Sequence, residues 1–176
     1  MHLYEKTIES KKVYDGLVFS VYKDKALLEN GKIADREKIV HGGATAVIPI
    51  DEAGNIYLVK QYRYGVSRVM LEIPAGKFDK NESSLECVKR ELKEETGALS
   101  GDIQKLCTTV LSPAYLTETI DIFIAKNLKF ENQSPDPDEF LDIIKIPLEK
   151  AYQMVLSGEI FDAKTQIAIM WVNNNF

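Results

Sequence analysis

The order of its segments predicts an α+β domain built in layers, with a small antiparallel β unit at the N-terminus. Three observations carry this. Short apolar runs rich in Val, Ile and Tyr recur along most of the chain. Three helical patterns, near 83–96, 147–158 and 162–174, are separated by strand-like runs instead of being grouped. The chain has 176 residues, 45% of them hydrophobic and 28% charged, which is enough for one substantial core.

In chain order, "VYDGLVFSVYKDKALLENGKIADREKIVHGG" carries apolar runs around Asn30-Gly31, a strong hairpin signal. The pair Gly42-Gly43 reads as a joint, dividing the chain into residues 1–42 and 43–176. "ATAVIPI" and "IYLVKQYRY" flank the turn "DEAGN" as a second strand pair. "RVMLEIP" is a further strand, stopped by Pro74 and Gly76. The helix over 83–96 can be capped by Ser83 or Ser84, and Gly97 stands one step past its end. "IQKLCTTVLSP" and "TIDIFIAKNL" read as strands around a polar loop, and "ENQSPDPDEF" as an acidic loop before the strand "LDIIKI". Pro147 suits the first position of a helix that ends at Gly158, and "DAKTQIAIMWVNN" is a last helix with an apolar face. The strand order is not fixed by these patterns.

Composition narrows the function. A net charge of −5, from 27 acidic and 22 basic residues, argues against sequence-independent binding of nucleic acid. Cys87 and Cys107 form no CxxC motif and suit a reducing compartment, and two histidines exclude a His-rich metal site. No signal-peptide pattern opens the sequence, and no apolar run approaches the ~20 residues that span a membrane. A soluble cytoplasmic protein without a membrane partner is the expectation.

The helix at 83–96 poses a question. Sorted by its turn, it places Leu85, Val88, Leu92 and the trailing Leu99 on a core side, and Glu86, Lys89 and Lys93 toward water. Glu91, Glu94 and Glu95 form a third stripe beside the apolar one. Like charges at i,i+3 and i,i+4 repel, and no lysine stands at i+4 from Glu91 to relieve them. Such a stripe is either a solvated acidic face or the carboxylate set that a hard divalent cation such as Mg²⁺ requires.

The surrounding residues extend the pattern to G-x5-E-x7-R-E-L-x-E-E-x-G, from Gly76 through Glu82, Arg90, Glu91, Leu92, Glu94 and Glu95 to Gly97. So many fixed positions do not coincide by chance in a chain this long. The stretch resembles the Nudix box, apart from Ala98, where a larger aliphatic residue is usual. The resemblance implies an α/β/α sandwich with a mixed sheet, which hydrolyses nucleoside diphosphates linked to a further moiety. It implies metal ligands Glu91, Glu94, Glu95 and the carbonyl of Ala75, with Mg²⁺ the expected ion and Mn²⁺ the substitute. Arg90 and Glu82 would brace the loop–helix–loop.

Likeness to the ADP-ribose pyrophosphatase subfamily extends further. "QYRYGVSRVMLEIPAG" resembles its segment before the box. "SPAYLTE" resembles the proline loop after it, with Pro113 16 residues past Gly97 and Ala114 where glycine is usual. "DAKTQIAI" also resembles this subfamily. By that likeness the catalytic set is Glu118 as general base with Glu94 and Glu95, and Glu139 is a second contender for the base. Substrate binding falls to Arg63 on phosphate, to Arg36 and Glu37 on the adenosine half, and to Phe19 or Tyr22 stacked on adenine. Arg63 could instead be an ordinary partner of Glu72, and Arg36 and Glu37 an ordinary charge pair in the hairpin. Residues 1–42 are expected to mediate a symmetric homodimer.

The activity implied is Mg²⁺-dependent hydrolysis of ADP-ribose to AMP and ribose 5-phosphate. GDP-mannose, another nucleotide sugar, or FAD or NADH are alternative substrates. A non-catalytic ADP-ribose-binding module is a further alternative, disfavoured because all three box carboxylates are present.

Overall fold

A computed structural model describes residues 3–134 and 139–175. The elements in chain order are β1 (Lys6–Asp15), β2 (Phe19–Leu27), β3 (Ile33–His41), β4 (Ala44–Pro49), β5 (Asn55–Arg63), β6 (Arg68–Glu72), β7 (Ala75–Lys77), α1 (Ser84–Thr96), β8 (Ala98–Leu99), β9 (Asp102–Val110), β10 (Thr119–Lys126), β11 (Lys129–Phe130), β12 (Leu141–Pro147), α2 (Leu148–Leu156) and α3 (Ala163–Asn175). They fall into two compact units, Met1–Gly43 with Val110–Thr119, and Ala44–Thr109 with Ile120–Phe176.

The first unit is an antiparallel sheet in the order β1-β2-β3. The Asn30-Gly31 turn joins β2 to β3, with Gly31 at a φ of 76°. The segment after β9 runs parallel to β3. Ile39 N–H donates to Tyr115 O at 2.7 Å, and Thr117 N–H donates to Ile39 O at 3.0 Å. β1 is exposed along its length.

The second unit contains the core. Its mixed sheet has the order β7-β4-β10-β9, with β4 parallel to β10 and antiparallel to β7. Alternation at period two sends side chains to both faces. Ala44, Ala46 and Ile48 of β4 and Ile120, Ile122 and Ile124 of β10 join Ala168, Ile169 and Val172 of α3 and Ala151 and Val155 of α2. Val47, Phe123 and Ala125 point the other way, onto Val88 and Leu92 of α1. A sheet covered by helices on both faces is the three-layer sandwich expected. Each fully buried Ile or Leu here contributes roughly 1.5–3 kcal/mol. β12, β5 and β6 form a separate antiparallel sheet.

The expected hairpin of "ATAVIPI" with "IYLVKQYRY" is corrected. Beyond a single bridge between Ile50 and Ile56, β4 pairs with β10 and β7, whereas β5 pairs with β6 and β12. The run Ala44–Pro49 is buried at every position, the mark of a central strand covered on both faces. Pro147 precedes the first turn of α2 instead of opening it, and that helix ends at Leu156, two residues before Gly158.

Candidate active site

α1 is set by its ends. Ser83 accepts from Glu86 N–H while Glu86 reaches back to Ser83 N–H, a capping box that contributes about 1 kcal/mol. Gly97 closes the helix at a φ of 68°, and a Cβ there would fall 2.3 Å from the carbonyl oxygen of Glu131. Only glycine meets both demands.

The buried stripe of α1 is Cys87, Val88, Glu91, Leu92, Glu95 and Thr96. Glu91 and Glu95 therefore lie within the stripe, whereas Glu94 is half-buried beside it. Leu85, expected in the core, is 44% exposed. It lies in the first turn, where the buried side falls on Cys87 and Val88. Cys87 is held by Thr45 Oγ1–H and by the carbonyls of Gly76 and Lys77, and burial pushes its thiol up to about 11. It is an inert packing residue.

The strand β7 brings the loop backbone onto the helix. A Cβ on Gly76 would lie 1.8 Å from Glu91 Oε1, so this position admits the carboxylate only as glycine. Ala75 N–H donates to Glu95 Oε2 at 3.0 Å.

Arg90 is the hub. Its Nε and Nη2 donate to the two oxygens of Glu82, each at 2.9 Å, and its Nη2 also donates to Lys77 O. Its Nη1 donates to Glu91 Oε1 at 2.6 Å and to Glu94 Oε2 at 3.0 Å. The hydrogen bonds from Arg90 hold the Glu82 carboxyl down at about 2. The expectation of a stripe without counter-charge is thus corrected, because the cation comes from the residue between the acids and not from a lysine. Among the described residues, no group of three or more His, Cys, Asp or Glu side chains converges as a ready cation cage. Arg90 occupies the angle between Glu91 and Glu94, and Glu95 is engaged by Ala75.

Burial pushes the Glu95 carboxyl up to about 8, against the Ala75 hydrogen bond, with the charges of Glu91 and Glu139 adding to the rise. Burial likewise raises Glu91. These are neighbouring acids that resist ionisation in the absence of a metal ion, Glu91 despite the guanidinium beside it. Glu139 is exposed, yet its charge reaches both Glu91 and Glu95. Residues 135–138 of its acidic loop lie outside the described residues.

Arg63 also belongs to the second unit. Its Nε and Nη2 donate to Glu72 at 2.7 and 2.8 Å. The ordinary pairing with Glu72 is therefore formed, and 41% of the Arg63 side chain remains exposed. Glu72 is fully buried and receives a second cation, Lys164. Sequence reasoning passed over Lys164. Its signal is its place in "DAKTQIAI", the subfamily-like stretch that opens the last helix.

The remaining candidates belong to the first unit. Glu118 Oε1 lies 3.4 Å from His41 Nδ1, with both side chains largely covered. Arg36 makes a two-pronged contact with Glu5 at 2.7 and 2.8 Å, and Glu37 stands opposite Lys23 in the ladder. Phe19 is exposed, with its ring 5.7 Å from that of Tyr14, whereas Tyr22 is half-buried beneath the ammonium groups of Lys12 and Lys38. Phe19 is the more open of the two aromatic candidates.

A family model described as the NUDIX domain matches residues 40–165. An ADP-ribose pyrophosphatase of Bacillus subtilis (strain 168) is 38% identical over 172 residues, covering 97% of this chain and 93% of that protein. A methanol dehydrogenase activator of Bacillus methanolicus is 38% identical over 170 residues, covering 96% of this chain and 92% of that protein. The crystal structure of an ADP compounds hydrolase superposes with a TM-score of 0.85 at 23% identity, covering 97% of this chain and 92% of that one.

Proposed function

The chain belongs to the NUDIX family, and on that premise we propose that it hydrolyses ADP-ribose to AMP and ribose 5-phosphate with the help of Mg²⁺, for which Mn²⁺ can substitute. It is a nucleoside-diphosphate-sugar hydrolase. The observation that carries this reading is the buried pair Glu91 and Glu95, packed against the backbone of Gly76 and Ala75.

These residues fit a hard cation. Their oxygens are the ligands Mg²⁺ prefers, and a buried acid raised to about 8 stands ready to exchange its proton for a metal. Glu91, Glu94, Glu95 and the Ala75 carbonyl would hold the ion. Once bound, it would neutralise the diphosphate and acidify a water. Arg63 binds a phosphate through its exposed edge, since a guanidinium suits phosphate oxygens. A carboxylate accepts the proton as water attacks one phosphorus and the bridging P–O bond breaks. Glu118 and Glu139 are the two candidates, and the reach of Glu139 to Glu91 and Glu95 favours it. Arg36, Glu37 and Phe19 are proposed to bind the adenosine half. Free Cys87 and Cys107 suit the reducing cytoplasm.

The test is product analysis of ADP-ribose turnover in ¹⁸O water with and without Mg²⁺. AMP and ribose 5-phosphate in equal amounts, one of them labelled, are expected. Nucleotide binding without product at saturating Mg²⁺ would mark a binding module, and a higher kcat/KM for GDP-mannose, FAD or NADH would move the substrate. In the same assay Glu139→Gln should depress turnover more than Glu118→Gln; the reverse order assigns the base to Glu118.

The first unit is proposed to form a symmetric homodimer. It exposes Ile8, Val13, Tyr14, Leu17 and Val18, apolar surface that a second copy can cover. Light scattering at micromolar concentration should give twice the 19.9 kDa chain mass, and a monomer there removes the dimer.

A further inference from the structure

The motif "DAKT", where α3 begins, supplies none of the groups assigned so far. Its side chains nevertheless converge on the strand that leads into the box. Asp162 Oδ2 accepts from Thr165 N–H at 3.0 Å and from Thr165 Oγ–H at 2.6 Å, closing the first turn of the helix. The Thr165 hydroxyl in turn accepts from Ile73 N–H at 2.9 Å. Lys164, only 8% exposed, pairs with Asp162 Oδ2 at 3.0 Å and donates to Glu72 Oε2. Glu72 Oε2 is also the acceptor for Arg63 Nη2.

A carboxylate that is fully buried persists as an ion only when its lone pairs are filled. Burial pushes the Glu72 carboxyl up, but the Arg63 hydrogen bond and the Lys164 charge bring it below the usual carboxylate range. Each cation therefore depends on the same anion. The Arg63 fork spends Nε and Nη2 on Glu72, and among the described residues no acceptor is found for Nη1. Arg63 is thus aimed by Glu72, and Glu72 is fixed by Lys164 at Oε2, the oxygen that also accepts from Arg63 Nη2. The ammonium also offsets the negative charge directly behind Arg63, so the exposed guanidinium edge keeps its attraction for an anion.

We propose that Lys164 is a positioning residue for diphosphate binding, acting through Glu72 to orient Arg63. The inference rests on the assignment of Arg63 to a substrate phosphate. It gives the helix-opening motif a role distinct from the acidic ridge on α1, which Lys164 does not touch.

Four variants, Lys164→Met, Lys164→Arg, Arg63→Ala and Arg63→Ala/Lys164→Met, test this in the ADP-ribose assay, with the Mg²⁺-induced rise in Tm as a second readout. A misaimed binding group typically costs about tenfold or more, so Lys164→Met should raise KM ~10-fold, with a smaller loss in kcat. Lys164→Arg should recover most of the loss. Adding Lys164→Met to Arg63→Ala should change KM no further, and the Mg²⁺-induced rise in Tm should match the wild type in Lys164→Met. An unchanged KM in Lys164→Met beside a raised KM in Arg63→Ala overturns the inference and leaves the phosphate assignment standing. An unchanged KM in Arg63→Ala overturns both. Equal effects of Lys164→Met in the two backgrounds mean that Lys164 does not act through Arg63. Should Lys164→Met fail to fold because Glu72 is stranded, Glu72→Gln/Lys164→Met removes both charges. It should show the same rise in KM, and a wild-type KM there overturns the inference.

Discussion

Glu95→Gln is expected to lower kcat on ADP-ribose by about 10²- to 10³-fold, the scale of losing one group that stabilises transition-state charge. The metal-free variant should nevertheless be at least as stable as the wild type. Glu95 is 2% exposed, its Oε2 accepts from Ala75 N–H, and an amide oxygen can accept the same bond. The sign of the pH dependence follows from the raised carboxyl. Its folded-state value of about 8 exceeds the ordinary 4.5, so the folded protein holds a proton that the unfolded chain has released. That contribution is fully present below pH 4.5 and is lost as pH rises through about 8. The groups that act on Glu95 are Glu91 and Glu139, which oppose its ionisation, and Arg63, which favours it. Stability in EDTA should therefore fall toward alkaline pH by up to roughly 1.4 kcal/mol per pH unit. Glu95→Gln has no proton to lose there and should flatten the profile. Chemical denaturation in EDTA from pH 5 to 9, beside steady-state kinetics at saturating Mg²⁺, reads both effects. Wild-type turnover in the variant would remove Glu95 from the reaction.

What could be read in advance divides by the range of the interaction. α1 was legible to within a residue because its signals are local: the Ser83 cap, the Glu86 partner and the left-handed Gly97 lie within a few positions of the ends they fix. The box residues were legible because their spacing is fixed along one helix and one loop. Pairings between distant segments were not. The turn at Asp51 looks like a hairpin turn, and Asp51 does accept from Ala53 N–H and Asn55 N–H. Yet β4, which leads into it, runs parallel with β10, from Ala44 beside Ile120 to Pro49 beside Ala125, and no local pattern names that partner. Leu85 failed for a related reason. Helical angle gives a direction, while burial also depends on what stands opposite. Lys164 was invisible because its importance comes from Glu72, 92 residues away, and composition treats a lysine as surface.

Arg90→Met should reveal how the acids of α1 tolerate one another without a cation. Arg90 joins Glu82, Glu91 and Glu94, and its side chain is only 27% exposed. Removing it strands Glu91, which is 8% exposed, and takes the guanidinium from Glu82, which keeps the Asp79 N–H and the Cys87 thiol. A lost partner for partly buried charge costs roughly 2–4 kcal/mol, so Tm in EDTA should fall by roughly 5–10 °C. Mg²⁺ should then stabilise the variant more than the wild type, because an ion held by Glu91 and Glu94 replaces the positive charge that Arg90 had placed between them. The deficit should narrow without closing, since Glu82 gains nothing from the ion. Thermal melts of both proteins across a Mg²⁺ titration measure this difference by mass action. A deficit unchanged at saturating Mg²⁺ would mean that Arg90 only braces the Glu82 loop. A widened one would mean that the guanidinium holds Glu91 and Glu94 in place for the ion, and would reverse the view that arginine and metal compete for the same two carboxylates.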